Sequence, residues 1–238
     1  MNSAALLFLP LGLVGLNLYA LLLVLLRGPL FGTTLYRPMV LNIALSISPA
    51  VVMALVLVAL VLVVAVAPSS ASVWAVLVVG AVLWLLMLPN AAYLVTELNL
   101  SHRRPADVET VPLWYDIVLV LTLAMSGVLN TLANVAIAQL AYAAVVNDTV
   151  EQARRDPGAW VLAGAVLLLV AFGIYLGRYI RFNSWDLLHP TSFARKLRGH
   201  FRVRANRLAA LGFVLTHGVF LAILYLVVAV PAVVLVLY

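Results

Sequence analysis

Six long apolar runs dominate this sequence, and every Lys and Arg falls at or beyond the end of one. The runs are Ala4 to Leu26, Met39 to Ala67, Val73 to Leu88, Leu113 to Val146, Ala159 to Ile180 and Leu208 to Leu237. About twenty predominantly apolar residues cross roughly 30 Å of hydrocarbon as a helix, so five runs suffice alone. The third reaches that length by resuming beyond Pro89-Asn90 as far as Leu98. With 66% hydrophobic and 9% charged residues, a water-soluble fold has too little polar surface to cover the chain. The expectation is an all-α, polytopic transmembrane helix bundle of about six spans, folded as a single transmembrane domain over residues 1–238.

The basic residues orient that bundle. Twelve of the fourteen Lys and Arg lie in alternate connections, around Arg27 to Arg37, Arg103 to Arg104 and Arg178 to Arg207. The intervening connections, Pro68 to Ser72 and Asn147 to Gly158, hold only Arg154 and Arg155. Cytoplasmic loops accumulate Lys and Arg, so both termini are expected on the extracytoplasmic side of the membrane. No Lys or Arg precedes Arg27, so the first run lacks the basic start of a cleaved signal and is expected to remain as a span. Trp74, Trp114 and Trp160 open spans, where interfacial anchors belong.

Two spans are over-long and one is interrupted. Met39 to Ala67 carries Ser46-Ile47-Ser48-Pro49, a kink signal. Leu113 to Val146 is roughly 50 Å long as one helix. Splitting it near Asn130 to Asn134 would carry the most basic connection outside, so one crossing is expected, with Val135 to Val146 projecting or lying along the interface. In the third span, Pro89-Asn90 is expected to break the helix, with the Asn90 amide bonding freed backbone or a neighbouring helix.

Three polar clusters fall on the expected cytoplasmic side: Leu88 to Glu97, Trp114 to Asp116, and Gly177 to Asp186. Asn42 and Ser46, four apart on one face of the second span, lie at similar depth. The segments LPNAAYLVTEL, PLWYD and GIYLGRYIRFNSWDLL occur in that order. Through them the chain resembles a bacterial family of integral membrane proteins catalogued as domain of unknown function 1361. The family pattern favours Pro at the position of Ala92 and Asp at that of Glu97; Glu97 keeps the carboxylate. The family has no established activity, so the resemblance marks residues without assigning a reaction.

The marked side chains have clear chemistry. Glu97, Asp116 and Asp186 are acceptors, while Arg178 and Arg181, three apart on a helix, offer planar forks for carboxylate or phosphate. Asn90, Tyr93, Asn183 and Trp185 add neutral hydrogen bonding and stacking. Ionisable groups at membrane depth are costly unless paired or hydrated, which makes this set the candidate ligand site, or else a set of helix-locking ion pairs. Asp116, Ser126, Gly127, Asn130 and Asn134 share about 100° of arc on the fourth span, a stripe that must face protein.

His102, His189, His200 and His217 show no paired spacing, and the chain lacks cysteine, so neither a metal centre nor any cofactor is expected. Nor is nucleic acid, because the basic residues hug span ends. From Ser192 to Arg207, six Lys and Arg alternate with Phe193, Leu197, Phe201 and Val203, as in an interfacial helix on anionic lipid. The functional expectation is binding or translocation of an anionic small molecule or lipid headgroup. An enzyme acting on a phosphate-bearing lipid and an accessory membrane subunit are the alternatives.

Overall fold

A computed structural model describes residues 3–66, 69–99, 110–180 and 190–237. Among the described residues the chain is helical, with no strand, and six helices are long and apolar enough to cross a membrane. The protein is thus an all-α polytopic membrane protein. It divides into two compact units, Met1–Asn130 and Thr131–Tyr238.

The first unit contains α1 (Ser3–Phe31), α2 (Arg37–Val66), α3 (Ser70–Ala92), a 3-10 segment (Tyr93–Asn99) and the first half of α4 (Leu113–Val146). α1 runs straight through Arg27-Gly28-Pro29, where the sequence predicts a break, and stops at Gly32. Gly32 adopts φ 67°, a conformation glycine enters without steric cost, and its N–H closes the last turn on Gly28 O at 2.8 Å. The extension has a cause: Arg27 is buried, so its backbone belongs to the packed helix.

In α2, Pro49 cannot donate to Leu45 O. The Ser48 hydroxyl fills the gap, donating to that carbonyl at 2.7 Å, so Ser48-Pro49 carries its own repair. Ser69 caps α3 through a reciprocal box with Ser72. The helix does not stop at Pro89-Asn90. α geometry persists to Ala92 and tightens to 3-10 at Tyr93, whose N–H bonds Pro89 O. Pro89 removes a single donor, which one helix turn survives, so the change of geometry falls one turn later than predicted. α2 and α3 pack along one another closely enough that a Cβ at Gly80 would sit 2.4 Å from Val56 Cγ2. Met39, Ile43, Leu94, Tyr115, Leu119 and Leu123 form the apolar core with Ala20, Leu23 and Val24 of α1.

α4 is one uninterrupted helix with the predicted bounds, and the boundary between the units falls within it. The second unit takes its remaining turns, then α5 (Val150–Arg155), α6 (Gly158–Tyr175) with a π-helical end (Leu176–Ile180), and α7 (Pro190–Arg202). It closes with α8 (Arg204–Leu224), a π turn (Tyr225–Ala229) and α9 (Val230–Leu237). The late turns of α4 do not project freely. Val135, Gln139 and Ala143, spaced four apart, are each 1% exposed, and Tyr225 donates its hydroxyl to Gln139 Oε1. A stripe at that spacing is the inward face of a packed helix, and Gln139 was its one strongly polar mark in the sequence. α6 lies against α8, and Val166, Leu167, Val170, Ile174 and Leu221 are buried there. Arg154 and Arg155 both reach Glu151 on α5, so this exposed basic pair shares one carboxylate.

Outward faces stay apolar: Leu55, Val61, Val66, Leu168 and Val219 are all exposed. Trp74, Trp114 and Trp160 are exposed too, as lipid-facing anchors are.

Candidate functional site

Polar side chains of the first unit form three groups. The first is an amide bridge: Asn17 of α1 and Asn130 of α4 exchange two hydrogen bonds at 3.0 Å each. Asn130 also donates to Ser46 Oγ of α2 at 2.9 Å, and Ser46 donates to Ala91 O of α3 at 3.4 Å. Four helices are thereby tied through side chains at most 8% exposed. In a dry interior each of those groups would cost free energy if left alone, so mutual satisfaction selects this one packing. Gly127 makes the approach possible, because a Cβ there would lie 2.5 Å from Ala91 O and 2.7 Å from Leu94 Cβ.

The second group is an ion pair. Arg27 Nε donates to Asp116 Oδ1 at 2.9 Å and Nη2 to Oδ2 at 3.4 Å, with the residues 5% and 0% exposed. Such a fork-to-carboxylate match is the strong form of the interaction. Thr33 closes the other side, accepting from Arg27 Nη1 at 3.3 Å and donating to Arg27 O at 3.3 Å. Neighbouring Tyr115 donates to Leu23 O at 2.8 Å and packs edge-on against Phe31, which fixes α4 on the end of α1. The sequence offered Arg178 and Arg181 as partners for its carboxylates; the structure gives Asp116 to Arg27, assigned from the sequence to a loop. Nothing in the local sequence marked Arg27 for this role: Gly28-Pro29 follows it directly and reads as a break, and its partner lies 89 residues away.

Glu97 anchors the third group. The residue is 7% exposed, and its Oε1 accepts from Asn42 Nδ2 at 2.8 Å. Its other oxygen, Oε2, is buried with no hydrogen-bond partner among the described residues. Asn90 and Tyr93 are half-buried. The Asn90 amide approaches Met87 Sδ at 3.8 Å rather than the backbone freed by Pro89, so that expectation fails. A sulfur within its own helix turn is the nearer acceptor.

In the second unit Arg178 is exposed on the π-helical end of α6. Arg181, Asn183, Trp185 and Asp186 lie outside the described residues. What the sequence understated here is α7, which carries charge and aromatics on opposite sides. Arg195, Arg198 and Arg202 fall within about 60° of helix arc and are exposed. Phe193, Leu197, His200 and Phe201 occupy the other side and are half-buried. The helix ends at Arg202, so Arg204 and Arg207 belong to the first turn of α8.

Sequence reasoning also missed how α7 is attached. Tyr175 Oη of α6 lies 2.7 Å from His200 Nε2 and 3.2 Å from Asn206 O, and Asn206 Nδ2 lies 2.9 Å from His200 O and 3.5 Å from His200 Nδ1. One tautomer satisfies all four contacts. With its proton on Nε2, His200 donates to Tyr175, Tyr175 donates to Asn206 O, and Asn206 donates to both acceptors of His200. Phe201 stacks near Phe172 and Tyr175, with centroids 6.3 Å apart in each case. His200 is therefore a docking residue for a surface helix; a lone His among aromatics gives that signal only once its neighbours are known.

Comparison with known proteins adds one match. No curated protein and no solved structure matches the chain. The model of a family described as protein of unknown function, DUF1361, matches residues 50–224, which contain Glu97, Asp116, Arg178 and the whole of α7. With nearly three quarters of its length inside that match, the chain belongs to the DUF1361 family.

Proposed function

We propose that this protein resides in a bacterial inner membrane, with both termini outside, and binds anionic lipid headgroups on the basic face of α7 at the cytoplasmic surface. One observation carries the reading: Arg195, Arg198 and Arg202 share an exposed stripe, while the opposite stripe is held to the protein through Phe201 and His200. A helix anchored by its apolar side presents its cations without having to bury them. Each basic residue beside an anionic membrane surface contributes about 1 kcal/mol, so the three contribute about 3 kcal/mol together. Exposed Arg178, on the segment that packs against α7, adds to the same field.

The test compares the wild type with a triple Arg195→Gln, Arg198→Gln, Arg202→Gln variant in detergent micelles. The wild type retains phosphatidylglycerol over phosphatidylcholine, the variant loses the preference, and inorganic phosphate does not compete. A preference that survives in the variant sinks the reading. Orientation is tested separately. The chain has no cysteine, and Gly199 has open space around its would-be Cβ, so Gly199→Cys and Ala71→Cys are clean single-label sites. In intact cells an impermeant thiol reagent modifies the residue 71 site and not the residue 199 site; the reverse pattern inverts the topology.

The accessory-subunit reading is favoured by a different observation, the internal satisfaction of the Arg27–Asp116 and Asn17–Asn130–Ser46 groups. Those groups hold helices together, whatever else the protein does. The same pair weakens the enzyme reading, since a carboxylate held by a guanidinium through both oxygens is a poor general base.

A further inference from the structure

Glu97 stands apart from Asp116, the other acidic residue described in the first unit. Its side chain is more than nine-tenths buried, Asn42 occupies one oxygen, and the other has no partner among the described residues. The 3-10 segment that carries it packs against α2 and α3, and α4 reaches the same turn through Gly127 against Leu94. Among the described residues none of these elements places a cation on that oxygen. On α2 the charged residue is Arg37, which is exposed. α3 has no ionisable side chain, and the segment's own Tyr93 is half-buried. On α4, Tyr115 donates to Leu23 O and Asp116 is held by Arg27 of α1. The described ion pair therefore cancels itself and leaves Glu97 Oε2 buried without a partner among the described residues.

A buried polar atom left unsatisfied points to an ion or hydrogen that completes it. An isolated anion in a membrane span is costly enough that it is met paired or neutralised. We infer that Glu97 is a binding site for a small monovalent cation, a proton or an alkali-metal ion, seated on Oε2 while Asn42 orients the carboxyl through Oε1. A divalent ion fits poorly, because no group of three acidic or histidine ligands exists among the described residues. A larger ligand is excluded by burial. The amides beyond Asn42 cannot relay a proton by simple hopping, so the site stores a charge rather than passing it along the Asn130–Asn17 bridge. Occupancy then governs how firmly the 3-10 segment seats on α2. The site lies in the first unit and stands or falls separately from lipid binding on α7.

The test uses the full chain in detergent, with the thermal unfolding midpoint measured in sodium chloride against choline chloride at equal ionic strength, over a range of pH. The comparison protein is Glu97→Gln, whose amide imitates the neutral, occupied side chain. If the site takes an alkali ion, sodium raises the wild-type midpoint by several degrees and leaves the variant unmoved. If it takes a proton, the wild type gains stability over the variant as pH falls, and sodium does nothing. A wild type that responds to neither, or a variant that responds as the wild type does, overturns the inference. Should Glu97→Gln fail to fold, the wild type alone decides. Dicyclohexylcarbodiimide adds to protonated carboxyls, and its yield at Glu97, read by mass spectrometry, should fall with sodium or with rising pH. A yield indifferent to both overturns the inference.

Discussion

The two units handle charge in opposite ways. The first hides it, Arg37 apart, among its described residues: Arg27, Glu97 and Asp116 are all under 8% exposed, and each is fastened to a side chain from another helix. The second displays it: Arg178, Arg195, Arg198 and Arg202 are exposed, while the groups that hold α7 down are neutral, a Tyr, a His and an Asn. The same residue types thus do different physical work. A buried charge makes one packing obligatory, because every alternative leaves an uncompensated ion. An exposed charge leaves packing indifferent and acts on whatever lies outside. In the first unit polar residues specify structure; in the second they advertise a surface.

Substitutions sort by that contrast. The largest effect is expected for Asp116→Ala, which strands Arg27 in a dry interior and should destabilise by about 3–5 kcal/mol. The midpoint of thermal unfolding in detergent reads it, and the double variant Arg27→Met, Asp116→Leu should recover most of the loss. A single variant as stable as the wild type breaks the comparison at its root. Next is Gly127→Val, which drives a branched side chain into Ala91 O and Leu94. Overpacking of this kind costs about 1–3 kcal/mol or more, seen as lowered folded yield and midpoint. Asn130→Ala follows, stranding the Asn17 amide in part and costing about 1–3 kcal/mol. Asn130→Asp should not rescue it, because Ser46 and Asn17 both receive donation from the native amide. At the small end, the triple Arg-to-Gln variant of α7 should shift stability by no more than about 0.5 kcal/mol per site while removing the lipid preference. A large loss of stability there would mean that these cations, too, hold structure.

Much of this was legible in composition and periodicity. The fourth span has its predicted ends because Pro112 and Asn147 bracket an apolar run that needs no tertiary information to be helical. The stripe Asp116, Ser126, Gly127, Asn130 and Asn134 is buried throughout, as helical spacing required. Break signals fared worse. Arg27-Gly28-Pro29 and Pro89-Asn90 both read as ends, yet both are crossed by helix, since a membrane interior penalises an unsatisfied backbone more than it penalises a proline. Site partners fared worst, because a contact such as Arg27 with Asp116 spans 89 residues of sequence and leaves no local trace.

What the sequence determined by itself is the class of molecule. Apolar run length dictates spans, because free energies of transfer sum residue by residue. What only the tertiary structure decided is which polar groups meet. That choice turns on a few ångströms of helix approach, set by Gly127 and Gly80, and on which donor is near enough to satisfy a buried acceptor. Pairing is a property of two residues at once. Asp116 found Arg27, Asn130 found Asn17 and Ser46, and Glu97 Oε2 found no partner among the described residues.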